Sequence, residues 1–145
     1  MSEISHKRKY ANVYTKIHNS SRMINIPDMH NKSVGRIGED LTAAHLIENG
    51  YQIIERNYTS RWGEIDIISQ KDNVLIFVEV KTKIGDKFGK PWEAVTFSKL
   101  KKLNRSIQYY LTSNNIKDIK CRIDVVAIEL TTYKTLKSLK IYEGR

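Results

Sequence analysis

Three carboxylates and a lysine stand inside what otherwise reads as two apolar strands: Glu64, Asp66, Glu79 and Lys81, within GEIDIISQKDNVLIFVEVK over residues 63–81. Two carboxylates a few ångströms apart repel, and burying them is costly without a cation. A divalent ion removes that cost. Mg2+ takes hard oxygen ligands, typically one or two carboxylates with waters and phosphate oxygens. Such an ion lowers the pKa of a bound water and offsets the charge on a phosphate in flight. A lysine two residues beyond a carboxylate projects on the same face of a strand. There it can hold an attacking water or neutralise developing charge. Asp66, Glu79 and Lys81 are therefore what metal-assisted hydrolysis of a phosphodiester needs, with Mg2+ or Mn2+ as the ion. The backbone carbonyl of Val80 is a further ligand. The ordinary alternative is a solvated face with an ion pair to Asp66, because Glu-x-Lys alone is a common tripeptide.

The turn decides whether these groups meet. Glu64, Asp66 and Ile68 share one face of the first strand; Leu75, Phe77, Glu79 and Lys81 share one face of the second. A two-residue loop at Lys71-Asp72 pairs Asp66 with Phe77, and a four-residue loop pairs Asp66 with Glu79. Both put Asp66, Glu79 and Lys81 on one side. A regular three-residue loop flips Asp66 to the other side.

The elements that must position them follow from periodicity. Val34, Ile37, Leu41, Ala44 and Ile47 recur at helical spacing, and Gly50 is a natural stop, so a helix is expected over 32–49. YQIIERNY (51–58) reads as a strand. WGEIDIIS (62–69) and NVLIFVEVK (73–81) read as a hairpin around Gln70 to Asp72. A Gly-containing loop over 82–95 holds Lys83, Lys87, Lys90 and Trp92. Leu100, Leu103, Ile107 and Leu111 predict a second helix over 97–113, with Thr96 or Ser98 as its cap. CRIDVVAIEL (121–130) and LKSLKIYE (136–143) complete the order α-β-β-β-α-β-β. That order is an α/β fold, a mixed central sheet flanked by helices. The long helical link from strand 73–81 to strand 121–130 fits a crossover between parallel strands.

The chain has 145 residues, 40% of them hydrophobic, which allows one domain with a real core. Residues 1–30 read as a basic arm, with Lys7, Arg8, Lys9, Lys16 and Arg22 against Glu3 and Asp28; the folded domain is expected over 31–145. His6, His18 and His30 fall in that arm without metal-ligand spacing. One cysteine, Cys121, excludes an internal disulfide framework. No signal peptide or membrane-length apolar run is visible, so a cytoplasmic location without membrane contact is expected. The formal charge of +9 and the pI of 9.6 favour a polyanionic partner, nucleic acid above all.

At Asp66 and Glu79-Val80-Lys81 the chain resembles the nuclease superfamily named for its Pro-Asp…(Asp/Glu)-x-Lys motif, which includes type II restriction enzymes and Holliday-junction resolvases. Ile65 stands where that motif has proline. GRIGEDLTAAHLIENGYQIIERNY, GEIDII, FVEVKTK, EAVTFSKLKKL and RIDVVAI, matching in order over 34–142, resemble the YraN-like family of small bacterial proteins. The resemblance implies a restriction-endonuclease-like fold, with Asp66 and Glu79 as ligands and Lys81 catalytic. It adds a glutamate from the first helix, a position that Glu39 matches. By position alone, Glu39 lies opposite the stripe of Ile37, Leu41 and Ala44 but beside Gly35, Ala43 and Leu46. Glu64 is the alternative ligand. The implied activity is metal-dependent DNA cleavage, on branched or repair structures. The alternative is a non-catalytic nucleic-acid-binding protein on the same fold. Resolving enzymes act as dimers by analogy, so a homodimer is an open expectation, although no dimer seam is readable.

Helix 97–113 carries Lys99, Lys101, Lys102 and Arg105 away from its apolar stripe. With Lys83 these are the candidate phosphate contacts; the alternative is a solvated amphipathic helix. Tyr109 projects with them and could stack on a base, whereas Tyr110 is expected in the core. No helix-turn-helix or zinc finger is present, which points to backbone or shape recognition. Asp124, in a central strand, is read as structural.

Overall fold

The computed structural model describes residues 33–85 and 95–144. The basic arm, its three histidines, and Lys87, Lys90 and Trp92 of the expected loop lie outside the described residues. Seven elements run in the expected order. They are α1 (Val34–Glu48), β1 (Gln52–Ser60), β2 (Gly63–Lys71), β3 (Val74–Ile84), α2 (Phe97–Ser113), β4 (Lys120–Leu130) and β5 (Leu136–Tyr142). Among the described residues no helix is long and apolar enough to cross a membrane.

The five strands form one sheet in the order β1-β2-β3-β4-β5. Neighbours are antiparallel except β3 and β4, which run parallel. Parallel neighbours cannot be joined by a tight turn, so the chain crosses over through α2. β3 lies at the centre, with β2 on one edge and β4 on the other. Its core positions Leu75, Ile76, Phe77 and Val78 are buried on both faces. That explains the continuous apolar run VLIFV, which no alternation interrupts.

The β2–β3 turn is two residues long, at Asp72 and Asn73, both at positive φ (51° and 60°). This is one residue further along than a Lys71-Asp72 turn. Asp and Asn tolerate the left-handed region that such a hairpin turn requires. The shift pairs Gln70 with Leu75 and Ile68 with Phe77, the register in which Asp66 comes opposite Glu79.

One face of the sheet packs on α2. Ile68, Leu75 and Phe77 meet Leu103, Ile107 and Tyr110 there, and the Tyr110 ring stands edge-on to Tyr58 and Phe77. Burying each such side chain contributes about 1.5–3 kcal/mol. Thr96, not Ser98, caps α2, its hydroxyl accepting from the Lys99 N–H at 3.2 Å. The other face carries α1, whose Gly38 lies so close to Thr82 that a Cβ would collide with its hydroxyl.

The buried face of α1 differs from the expected stripe. Ile37, Gly38, Thr42, Ala43 and Leu46 are buried, whereas Val34, Leu41, Ala44 and Ile47 are only half-buried. The close approach at Gly38 sets this rotation, because a helix can come nearest the sheet where a side chain is missing. β3 also continues to Ile84, so Lys83 stands on a strand and not in a loop.

Candidate active site

The β2–β3 ladder pairs residues only from Lys71/Val74 to Ile67/Val78. Beyond that pair the two strands part, and the gap is where the charged residues sit. Asp66 spans it: its Oδ2 accepts a hydrogen bond from the Val80 N–H at 2.8 Å. A side-chain oxygen thus takes the donor that a neighbouring strand would otherwise satisfy. In an extended strand the N–H and C=O of one residue point to the same edge. The Val80 carbonyl therefore faces the same gap. Among the described residues no hydrogen bond reaches the other oxygen of Asp66.

Glu79 and Lys81, on the same face of β3, form an ion pair at 3.0 Å (Lys81 Nζ to Glu79 Oε1). Both are half-buried. Burial, then the charge of Glu79, pushes the Asp66 carboxyl up to about 7; the Val80 N–H opposes this, Glu39 adds to it and Lys81 opposes it. Burial pulls the Lys81 ammonium down, but hydrogen bonds to Lys99 and Glu79 and the charges of Glu79 and Asp66 outweigh it, leaving it raised. The hydrogen bond from Lys81, then its charge, holds Lys99 below the ordinary lysine value. Lys99 thus reaches the gap from the first turn of α2.

Glu39 comes to the same neighbourhood from α1. Burial raises its pKa first; Arg56 lowers it, Glu64 raises it, and a hydrogen bond from Asn57 lowers it. With its amide nitrogen turned toward the carboxylates, Asn57 donates to Glu64 at 3.2 Å and to Glu39 at 3.0 Å. Asn57 sits in the left-handed region (φ 52°) in the middle of β1, which asparagine tolerates. Arg56 next to it pairs with Asp40 at 2.7 Å.

The chain thus brings Asp66, Glu79, Lys81 and Glu39 into one electrostatic cluster. Glu64 is exposed and joins through Asn57. Lys101, Lys102 and Arg105 are exposed on α2, while Lys83 is half-buried on β3. Sequence reasoning missed Asn57, Arg56 and Asp40. An asparagine between Arg56 and Tyr58 is unfavourable in a strand interior, and that was the available signal. Arg56 and Asp40 lie 16 residues apart on two elements, with no local signal for their pairing.

Among the described residues, no three His, Cys, Asp or Glu side chains converge as a ready-made metal cage. The donor set that exists is two carboxylates and a backbone carbonyl. These are hard oxygens, and burial first, then the charge of Glu79, raises the Asp66 carboxyl. That fits a Mg2+-type ion, which keeps waters and substrate oxygens in its shell.

Residues 38–128 match the profile of the Uncharacterised protein family UPF0102. Two proteins called UPF0102 protein illustrate the likeness. That of Clostridium perfringens is 44% identical over 99 residues, 68% of this chain and 81% of its own length. That of Chloroherpeton thalassium is 46% identical over 104 residues, 72% of this chain and 81% of its own length. A third, from Clostridium tetani, is 37% identical over 112 residues, 77% and 92% of the two chains.

Proposed function

We propose, for a chain that belongs to the uncharacterised protein family UPF0102, that the gap between β2 and β3 is the active site of a metal-dependent DNA endonuclease. The observation that carries this reading is the grouping of Asp66, Glu79 and Lys81 where the ladder stops, with the Asp66 carboxyl pushed up to about 7. Perturbed carboxylates at a break in regular structure are a marker of function. Asp66, Glu79 and the Val80 carbonyl would hold Mg2+ or Mn2+, which when bound supplies a water of lowered pKa and offsets phosphate charge.

The chain's own residues have distinct tasks. Asp66 would hold the ion in its deprotonated form, and its Oδ2 is fixed by the Val80 N–H. Lys81, tied to Glu79, directs its ammonium at the attacking water or the phosphoryl oxygen. Lys99 stands beside it, where negative charge builds as the attacking water's oxygen bonds to phosphorus and the P–O ester bond to the leaving group breaks. Glu39 and Glu64, joined through Asn57, line the acidic side. The basic face of α2 tracks the phosphate backbone.

A second reading is a nucleic-acid-binding protein on a nuclease fold that does not cut. The observation in its favour is the absence, among the described residues, of a three-ligand cluster. Cleavage of labelled single-stranded, duplex and four-way-junction DNA with Mg2+, Mn2+ or EDTA separates the two. The nuclease reading expects metal-dependent cutting that Asp66→Ala and Lys81→Ala both abolish. Salt-sensitive binding without cutting on any of these substrates supports the second reading instead.

A further inference from the structure

Beside the gap, α2 and the β1–β2 turn enclose an open groove of about 810 Å³. Its walls include Trp62, Phe97, Leu100, Lys101, Arg105 and Tyr109, and among the described residues no acidic side chain lines it. Four large hydrophobic side chains are exposed among the described residues, and two of them stand here: Phe97 at 84% and Tyr109 at 51%. The Arg61 and Arg105 guanidiniums lie over the Trp62 ring at 4.5 and 4.9 Å. The turn that carries Trp62 is pinned in place. Ser60 Oγ accepts from the Trp62 N–H at 3.1 Å and meets Ser106 Oγ of α2 at 3.0 Å. The groove is therefore a fixed platform of rings edged by cations.

A duplex offers such a platform little, because its bases are stacked on one another and only sugar and phosphate reach the surface. Unpaired bases have free π faces, and stacking them on aromatic side chains is the usual way to hold a single strand. The cations along the rim complement its phosphates. The first turn of α2 joins groove to gap: Lys99 reaches Lys81, while Phe97, Leu100 and Lys101 line the groove.

We propose that this groove binds an unpaired segment of DNA, its bases stacked on Phe97 and Tyr109 and its phosphates held by Lys101 and Arg105. The assignment deepens the nuclease reading, on which its catalytic meaning rests, and names the substrate as DNA with an unpaired stretch beside the bond to be cut. Binding itself is independent of cutting.

The test is fluorescence anisotropy in EDTA, with the full chain and labelled oligodeoxythymidine, perfect duplex and splayed-arm DNA. Phe97→Ala and Tyr109→Ala, singly and together, remove exposed rings that are not among the buried core residues. The double variant should bind oligodeoxythymidine about tenfold or more weakly and duplex almost as well as wild type. Equal losses on both ligands, or no loss on the single strand, would overturn the proposal. So would a wild-type dimer that the double variant converts to monomer with single-strand binding intact, which makes the groove an interface between copies. Tighter binding of the matching oligoribonucleotide would overturn the assignment to DNA. If wild type cuts nothing yet the single-strand loss is seen, the groove assignment stands and the nuclease reading falls. If duplex and splayed arms are cut equally by wild type and double variant, the nuclease stands and the groove assignment falls.

Discussion

Asp66 and Asp124 are both aspartates set within the sheet, on strands β2 and β4 that flank β3, and their surroundings differ. Asp124 is the more buried, at 1% exposure. Arg122 meets it with Nε at 3.0 Å and Nη2 at 3.2 Å, and the Gly144 N–H donates to it at 3.0 Å. It ties the end of the chain to β4. Asp66 is less buried, yet its nearest charges include Glu79 and Glu39, and its carboxyl is pushed up to about 7. Burial alone therefore does not set an acid's surroundings. Asp124 has its cation and its donors built in, whereas Asp66 faces Glu79 and Glu39.

The largest expected effect is on activity. Glu79→Gln should lower cleavage by about 100- to 1000-fold, measured as single-turnover rates with saturating Mg2+, while the same change leaves the melting curve nearly in place. The next is on stability and belongs to the other acid. Asp124→Ala leaves the Arg122 guanidinium without its main partner and should cost about 3 kcal/mol in urea unfolding. Asp66→Asn should stay within about 1 kcal/mol of wild type. Equal losses at the two sites would erase the contrast.

A smaller effect concerns pH. The folded Asp66 keeps its proton up to about 7, whereas the unfolded chain releases it near the ordinary 3.8. Between those values the folded state binds more protons, so stability falls as pH rises and levels off above about 7. Wild type should lose stability across that window while Asp66→Asn does not, and excess Mg2+ should remove the difference. The smallest effect is at Asn57. Asn57→Gly keeps the left-handed backbone but loses the amide between Glu39 and Glu64. It should change stability by less than about 1 kcal/mol and lower the Mg2+-dependent rate a few-fold.

Much of the fold was legible because its signals are local. The apolar stripe of α2, the buried run in β3 and the crossover between β3 and β4 all follow from periodicity and connection length. Asp66 and Glu79-Val80-Lys81 were legible for the same reason, since strand alternation fixes their faces once the turn is known. Of the two registers left open, the structure has the one that sets Asp66 opposite Glu79, with the tight turn at Asp72-Asn73 because these outcompete Lys71 for the left-handed positions. The rotation of α1 was not legible, as it depends on Gly38 meeting Thr82, 44 positions away. Nor were the partners of Asp124 readable: the Gly144 N–H reaches it only through the β4–β5 hairpin.

The account's central claim is that the β2–β3 gap is short of a cation. Calorimetric titration of Mn2+ into the full chain, just below neutrality and in two buffers of different ionisation enthalpy, tests it most directly. The prediction is one bound ion, with a proton released to the buffer as Asp66 becomes a ligand, and loss of both signals in Asp66→Asn. Absent binding, or binding that Asp66→Asn leaves unchanged, would contradict it.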